Sequence, residues 1–429
     1  MRIPHTRREF GELLRVHRIR RAATQHQLAG LSTVSVRAIR DLELGKAHRP
    51  RRDTVRLLAD GLGLTGRERV EFETASAAPG WATPAHDLTS APPPAPLDAV
   101  VGRAAEVAVL TELARSGSQR LVTVVGLPGV GKSRAVLEVA GALGDLPVLW
   151  SAAAVAPAPD SLAALVRTAL GSSFRGLSRG ADVAAAHLAE LVGDTAAVLV
   201  LDGYDRDDVD RDALPELLQR CPGLRIVLTT RTPWGLAGER VFPLGPLPVP
   251  ALDADGDPVA LGAVPAVRLL VSHLSRLQPG FALTANTATG VAALCRALDG
   301  IPLALEAAAA ALTVYPLAAL AEELADDPFG VAGEQLDTHL RRAVATLDPA
   351  VAALLARLVG LRAGWSMVDA VRASGLRPGA CAPLVRALLV RGLVRCADDT
   401  DRTRFTVLGL VVAHLRAAAA PVLTAKEAM

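Results

Sequence analysis

LVTVVGLPGVGKSRAVLEVA, residues 121–140, runs from a β-branched apolar stretch into a glycine-rich loop and then into a helical pattern. Gly126, Gly131, Lys132 and Ser133 satisfy the phosphate-loop spacing G-x-x-x-x-G-K-[ST]. In that loop, backbone N–H groups and the start of the next helix surround the phosphates of a nucleotide. The Lys132 ammonium offsets the β and γ charges there, and the Ser133 hydroxyl completes a Mg²⁺ shell. Gly129, Val130 and Arg134 occupy the other positions of the expected ATP/ADP contact set. Lysine is scarce, with Lys46, Lys132 and Lys426 standing against 43 arginines, so composition alone does not account for one in the motif's lysine slot.

Working outward, 429 residues suffice for about three domains. Half of the chain is hydrophobic and only 3% is aromatic, which predicts aliphatic, helix-rich cores. The longest uncharged run, Leu277 to Cys295, holds Gln278, Pro279, Asn286 and several threonines, too polar for a membrane span. MRIPHTRREF at the N-terminus lacks the apolar segment of a secretory signal, so a cytoplasmic protein with no membrane partner is expected. Four scattered cysteines, Cys221, Cys295, Cys381 and Cys396, show no C-x-x-C spacing and read as buried thiols. The net charge of +2 is unevenly spread: residues 1–76 carry +7 and leave −5 for the rest. A basic head suits a polyanion, although charge alone leaves open that an arginine-rich composition scatters its cations everywhere.

The head reads as five short helices. Phe10, Leu13, Leu14 and Ile19 mark the first, and Thr24 caps a second with Leu28 and Ala29 inward. Val36, Ile39 and Leu42 line a third, and segments 54–61 and 67–72 follow. TQHQLAGLSTVSVRAIRDLELGKAHRP, residues 24–50, resembles the helix-turn-helix of Cro/Xre-like repressors, whose second helix lies in the major groove. By that resemblance Gln25 holds a phosphate, and Ser35, Val36, Arg37, Arg40 and Asp41 face double-stranded DNA. Lys46 and Arg49 would add backbone or minor-groove contacts, and Arg37 would read a guanine. Relatives carry glycine at the turn; here Thr33 takes that place. A helical protein-interaction module with solvated arginines is the alternative. Residues 77–98, rich in Ala and Pro, read as a semi-rigid linker.

Strand and helix patterns alternate after residue 99 and predict a parallel sheet with its site at the strands' carboxyl ends. Helices are expected at 104–116, 161–170 and 181–191, and strands at 148–150, 197–201 and 224–229. Asp202 ends an apolar strand 70 residues beyond Lys132, where a carboxylate helps to hold Mg²⁺. Thr229-Thr230-Arg231 ends the next strand at the same edge. VVGR, GLPGVGKS, VLVLDGYD, TTR and DGIPLALE resemble, in order and spacing, the NB-ARC subgroup of STAND ATPases. More narrowly, the phrases are similar to actinobacterial regulators in which a DNA-binding head precedes such a module. The resemblance implies that Val101 and Arg103 lie on the adenine and ribose side, Asp202 acts on Mg²⁺, Arg231 senses the γ-phosphate and Pro302 packs on the base. Gly203 stands where relatives have a second Asp, leaving Asp205 as the nearest carboxylate, so hydrolysis is expected to be slow at most.

The expected organisation is an all-α helix-turn-helix head (1–76), the linker (77–98), an α/β phosphate-loop domain (99–250), a helical lid (251–335), a winged helix (336–418) and a tail (419–429). Helices at 265–277, 286–298, 302–312 and 316–324 would form the lid, and strands 393–397 and 403–407 a wing. The Met-His-Asp triplet of plant and animal relatives is missing, and His414 reads as a helix-surface residue. No repeats of a sensing arm follow the winged helix, so a separate sensor protein or small-molecule effector is expected. The combined reading is a transcriptional regulator switched between ATP and ADP states, with self-association in the ATP state. A signalling or defence ATPase whose head binds protein is the alternative, and a fast DNA-remodelling motor is disfavoured by Gly203.

Overall fold

The computed structural model describes residues 10–21, 23–43, 50, 52–65, 68–69, 72, 93–94, 96, 98–144, 146–153, 192, 196–205, 213–252, 257–361, 364–396 and 404–417. Lys46, Arg49, the expected helices at 161–170 and 181–191 and the expected wing turn at 398–401 lie outside these residues. The chain divides into two compact units, one of residues 1–87 with 186–193 and one of residues 88–185 with 194–429.

In the first unit α1 (Phe10–Arg20), α2 (Gln25–Ser32), α3 (Val36–Glu43) and α4 (Arg52–Gly61) surround a core of Phe10, Leu14, Leu28, Ile39, Leu42 and Leu58. Thr24 caps α2 reciprocally: its hydroxyl accepts from the Gln27 amide at 3.1 Å, and its own N–H donates to Gln27 Oε1 at 2.8 Å. Ile19, expected inward, is 57% exposed, and His17 is buried instead. The reason is angular: five residues past Leu14 lies about 140° off the stripe, whereas position 17 continues it. His17 then packs edge-on to Phe72 at 5.8 Å.

The turn between α2 and α3 needs a left-handed residue, and Thr33 supplies it at φ 54°. A β-branched side chain is strained there by about 1 kcal/mol, and glycine is not. Thr33→Gly is therefore expected to slow amide exchange at Leu28 and Ile39 by a few-fold, less whatever the freer unfolded chain gives back. Faster exchange would mean that the Thr33 hydroxyl, which donates to the Ser32 carbonyl at 2.7 Å, outweighs the strain.

The second unit begins with α5 (Ala104–Ser116), β1 (Leu121–Val125), α6 (Lys132–Ala142), β2 (Val148–Ala152), β3 (Ala197–Asp202), α7 (Ala213–Arg220), β4 (Leu224–Thr230) and β5 (Glu239–Pro243). The strands form one parallel sheet in the order β2-β3-β4-β1-β5. All five residues of β1, Thr123 included, and the first five of β3 are buried, as expected of strands covered on both faces. Because β1 neighbours β4 and β4 neighbours β3, the loops leaving these three strands share one edge. The edge strand β5, Glu-Arg-Val-Phe-Pro, was not anticipated, since it is half-exposed and lacks an apolar run.

Helices follow: α8 (Pro258–Ala263), α9 (Pro265–Leu277), α10 (Ala285–Ala297), α11 (Pro302–Ala311), α12 (Leu317–Asp326), α13 (Pro328–Ala332), α14 (Glu334–Ala345), α15 (Pro349–Leu358), α16 (Met367–Ser374) and α17 (Pro378–Val390). Six of them open on proline, whose missing N–H costs nothing in a first turn. Strands β6 (Val394–Cys396) and β7 (Phe405–Val407) pair antiparallel, and residues 409–417 are helical. One continuous apolar core runs from Leu110 through the sheet and these helices to Val411. His414 is buried, not on a surface: it lies on the inner side of its helix, 3.0 Å from Asp337 of α14 and edge-on to Phe329.

Candidate functional site

The phosphate loop leaves β1 at Gly126 and enters α6 at Lys132. It needs its glycines for contact as well as for backbone angle: a Cβ on Gly126 would stand 2.3 Å from the Leu244 carbonyl oxygen, and one on Gly129 (φ 78°) 2.7 Å from the Leu303 Cβ. The Leu303 amide donates to the Gly129 carbonyl at 3.2 Å, and Pro302 Cγ lies 3.9 Å from where a Cβ of Gly131 would sit. The Gly-Ile-Pro-Leu segment is thus seated on the loop. Arg103 is buried beneath it, donating to the carbonyls of Val130 at 3.1 Å and Gly245 at 2.6 Å and pairing with Glu106 at 2.8 Å. Those bonds brace the loop. Val101 is half-buried beside Gly102, which packs on Pro265.

Lys132 folds back on the loop, its Nζ donating to the carbonyls of Gly126 at 2.8 Å and Leu127 at 3.1 Å. Burial pulls its pKa down to about 8, against the pull of Asp205 and Asp202 and with a push from Arg231. Asp202 accepts from the Thr229 hydroxyl at 2.6 Å, and that oxygen accepts from the Gly203 amide at 2.7 Å, so β4 orients the carboxylate at the end of β3. Asp205 pairs with Arg231. Ser133 is exposed at the start of α6, while Arg134 turns away to Glu138 at 3.2 Å and to the Asp98 carbonyl.

Lys132, Asp202, Asp205 and Arg231 therefore meet at one edge, and a nucleotide with Mg²⁺ fits the residues present. The loop N–H groups lead into the start of α6, the desolvated ammonium has two loop carbonyls as its partners among the described residues, and a hydroxyl and a carboxylate are hard-cation ligands. Two further groups, a histidine and an arginine, reach this edge from the helices, and neither has a local motif. Burial and the nearby Arg231, Arg342 and Lys132 lower the pKa of His339 of α14, and its buried Nδ1 has no hydrogen-bond partner among the described residues. Arg391, just after α17, lines a small cleft together with Gly126, Leu127, Pro128 and Arg231.

On the head, Ser35, Arg37 and Arg40 are exposed, with the Arg37 side chain 94% accessible and 3.9 Å from Asp41; Val36 and Asp41 are half-buried. The Gln25 amide turns inward to Glu43 at 2.8 Å. Glu43 also accepts from Arg18 Nε and Nη2, at 2.6 and 2.8 Å. Burial works against the Glu43 carboxylate, yet Arg18 and Gln25 keep its pKa below the usual carboxylate value. A helix-turn-helix domain family model matches residues 9–72. The head is a helix-turn-helix domain. Its third helix, α3, carries the exposed arginines.

The chain that bears this helix-turn-helix head is 32% identical over 309 residues to a Mycobacterium tuberculosis protein that carries the name HTH-type transcriptional regulator. That alignment covers 68% of this chain and 33% of the relative, so the chain spans about a third of the length of that relative. An uncharacterized Mycobacterium bovis protein is 33% identical over 231 residues, 52% of this chain and 54% of its own. Among solved structures, the STAND protein with a tetratricopeptide repeat sensor from Pyrococcus horikoshii covers 77% of this chain, which covers 43% of that one, at 15% identity and a TM-score of 0.34. A superposition that weak adds nothing to the sheet order and loop geometry given above. No helix among the described residues is long and apolar enough to cross a membrane.

Proposed function

We propose that this protein is a DNA-binding transcriptional regulator whose ATP- or ADP-bound state controls its conformation. The observation that carries the reading is the coexistence, in one chain, of a helix-turn-helix head with an exposed Arg37–Arg40 face and a phosphate loop whose half-buried Lys132 has, among the described residues, two loop carbonyls as hydrogen-bond partners. Helices α8–α13 act as a lid, and α14–α17 with β6 and β7 as a winged helix, closing over the loop. The nucleotide supplies the charge and Mg²⁺ the hard cation; the chain's own residues hold and orient them. Ser133 and Asp202 are the metal ligands, Thr229 fixes Asp202, and Pro302 closes the base side. Asp205, tied to Arg231, is poorly free to activate water, which supports a slow switch. Self-association in the ATP state would place two heads on two half-sites.

The reading is tested with a duplex selected by the protein from a random pool. Binding is expected to weaken steeply with salt, because phosphate contacts release counterions. Arg37→Ala is expected to weaken it by about tenfold to a hundredfold, the range for losing a bidentate base contact. Affinity that ignores both salt and Arg37 would favour a head that binds protein. Nucleotide extracted from the purified protein, with solution mass compared between ADP and a non-hydrolysable ATP analogue, tests the switch; identical masses and no nucleotide would end it.

A further inference from the structure

We propose that Arg391 is a ligand for the terminal phosphate of a bound nucleoside triphosphate, so that the segment following α17 reports which nucleotide the loop holds. The inference rests on the nucleotide reading of the loop and adds a residue that lies 259 positions beyond Lys132.

Three observations place Arg391 at that task. The first is the cleft: Gly126, Leu127 and Pro128 of the loop form one wall, Arg231 at the end of β4 another, and Thr346 and Arg391 the third. This is the side of the loop on which the β4 edge presents its arginine. The second is a close approach that holds Arg391 there. Gly392, at φ 73°, is so near the loop that a Cβ would lie 3.4 Å from the Leu127 nitrogen and 3.9 Å from the Gly126 Cα. The turn carrying Arg391 is seated on the backbone that would wrap the phosphates. The third is charge. The edge holds the cations Lys132, Arg231 and Arg391 against the carboxylates Asp202 and Asp205, and Asp205 is committed to Arg231. Among the described residues Arg391 Nη1 donates to the Thr346 carbonyl, at 3.0 Å, with Asp348 a more distant attraction. Burial works against its charge, so an anion in the cleft would relieve it.

A guanidinium fork matches phosphate oxygens, and exchanging one neutral carbonyl for a phosphate strengthens every bond it makes. A diphosphate leaves the terminal group out, so Arg391 would keep its carbonyl. Nucleotide identity would thereby become a difference in how firmly the Arg391–Gly392 turn is held against the loop.

The test uses the full chain, with Arg391→Ala and Arg391→Lys. Binding of ADP, of ADP with inorganic phosphate and of a non-hydrolysable ATP analogue, each with Mg²⁺, is measured by titration, and hydrogen exchange is followed at residues 391–396. Arg391→Ala is expected to cost about tenfold in affinity for the ATP analogue, the loss of one charge-assisted contact, while ADP affinity changes less than about twofold. Unchanged ADP affinity also shows that the variant is folded. Arg391→Lys should recover part of the loss, and protection of 391–396 by the analogue should vanish in Arg391→Ala. Equal loss for both nucleotides, or none for either, overturns the proposal. Arg391-dependent protection by ADP with inorganic phosphate assigns the cleft to free phosphate and overturns it too. If the unaltered chain binds no nucleotide, the loop reading falls first and this inference with it; if it binds and Lys132→Ala does not, only the Arg391 outcomes decide.

Discussion

Lys132→Ala is expected to weaken nucleoside triphosphate binding between about tenfold and about a hundredfold, because it removes a charged donor from a desolvated loop. Without nucleotide the chain keeps that ammonium at a cost, since burial lowers its pKa to about 8 and its hydrogen-bond partners among the described residues are the Gly126 and Leu127 carbonyls. A phosphate would supply the charge that the carbonyls lack. The shift has a sign that can be checked. Above about pH 8 the empty chain gives up the Lys132 proton, whereas the bound form needs it. Affinity should therefore fall as pH rises, by up to about tenfold per unit. Over the same range, from about 8 up to the ordinary lysine value of 10.5, the unfolded chain holds more protons than the folded one. The empty protein should then gain stability with pH, and Lys132→Ala should abolish the gain. Titration calorimetry at two pH values and urea unfolding read both effects; pH-independent affinity would show that Lys132 is not a phosphate ligand.

Asp299→Gly is expected to destabilise the second unit by about 1–3 kcal/mol, the cost of leaving the buried Leu410 amide without its acceptor. Asp299 is 3% exposed, and its Oδ2 accepts from the Leu410 amide at 2.8 Å. Its carboxylate also accepts from the Gly409 amide, so it caps the helix of residues 409–417 from 111 positions away. Burial pushes the Asp299 carboxyl pKa up, and Arg395 and the two amides hold it down. The residue stands at φ 52°, in the turn that ends α10 and leads into Pro302. Asp, Asn and Gly tolerate that angle, so Asp299→Gly removes the acceptor without adding strain, whereas Asp299→Ala adds about 1 kcal/mol of strain. Asp299→Asn keeps one acceptor and should fall between the unaltered chain and the glycine variant. Urea unfolding with hydrogen exchange at 409–417 measures the series, and an Asp299→Gly chain as stable and as protected as the original would show that the cap contributes nothing.

How far the sequence could be read depended on whether a feature is local. The apolar runs of β1, β3 and β4 had to be buried strands, the prolines had to open helices, and Thr24 had to cap α2, because each depends on neighbours within a few residues. Ile19 is exposed although the sequence groups it with the apolar positions of α1, because that grouping extends the stripe one step too far, and His17 takes the buried position. His414 was misjudged because its burial depends on Asp337 and Phe329, partners about eighty residues away. His339 and Arg391 carry no local motif, so only packing brings them to the phosphate loop.

The sequence by itself determined that this chain has a phosphate loop on a buried strand and a basic helical head, since backbone angle, hydrophobic period and charge are written residue by residue. Only the tertiary structure decided the rest. Arg103 braces the loop from below, Thr229 aims Asp202, Asp205 is spent on Arg231, Asp299 caps the helix of residues 409–417, and Arg391 lies beside the phosphate loop. Those pairings join residues that the chain keeps far apart, and the order of strands in the sheet and the shared core bring them together.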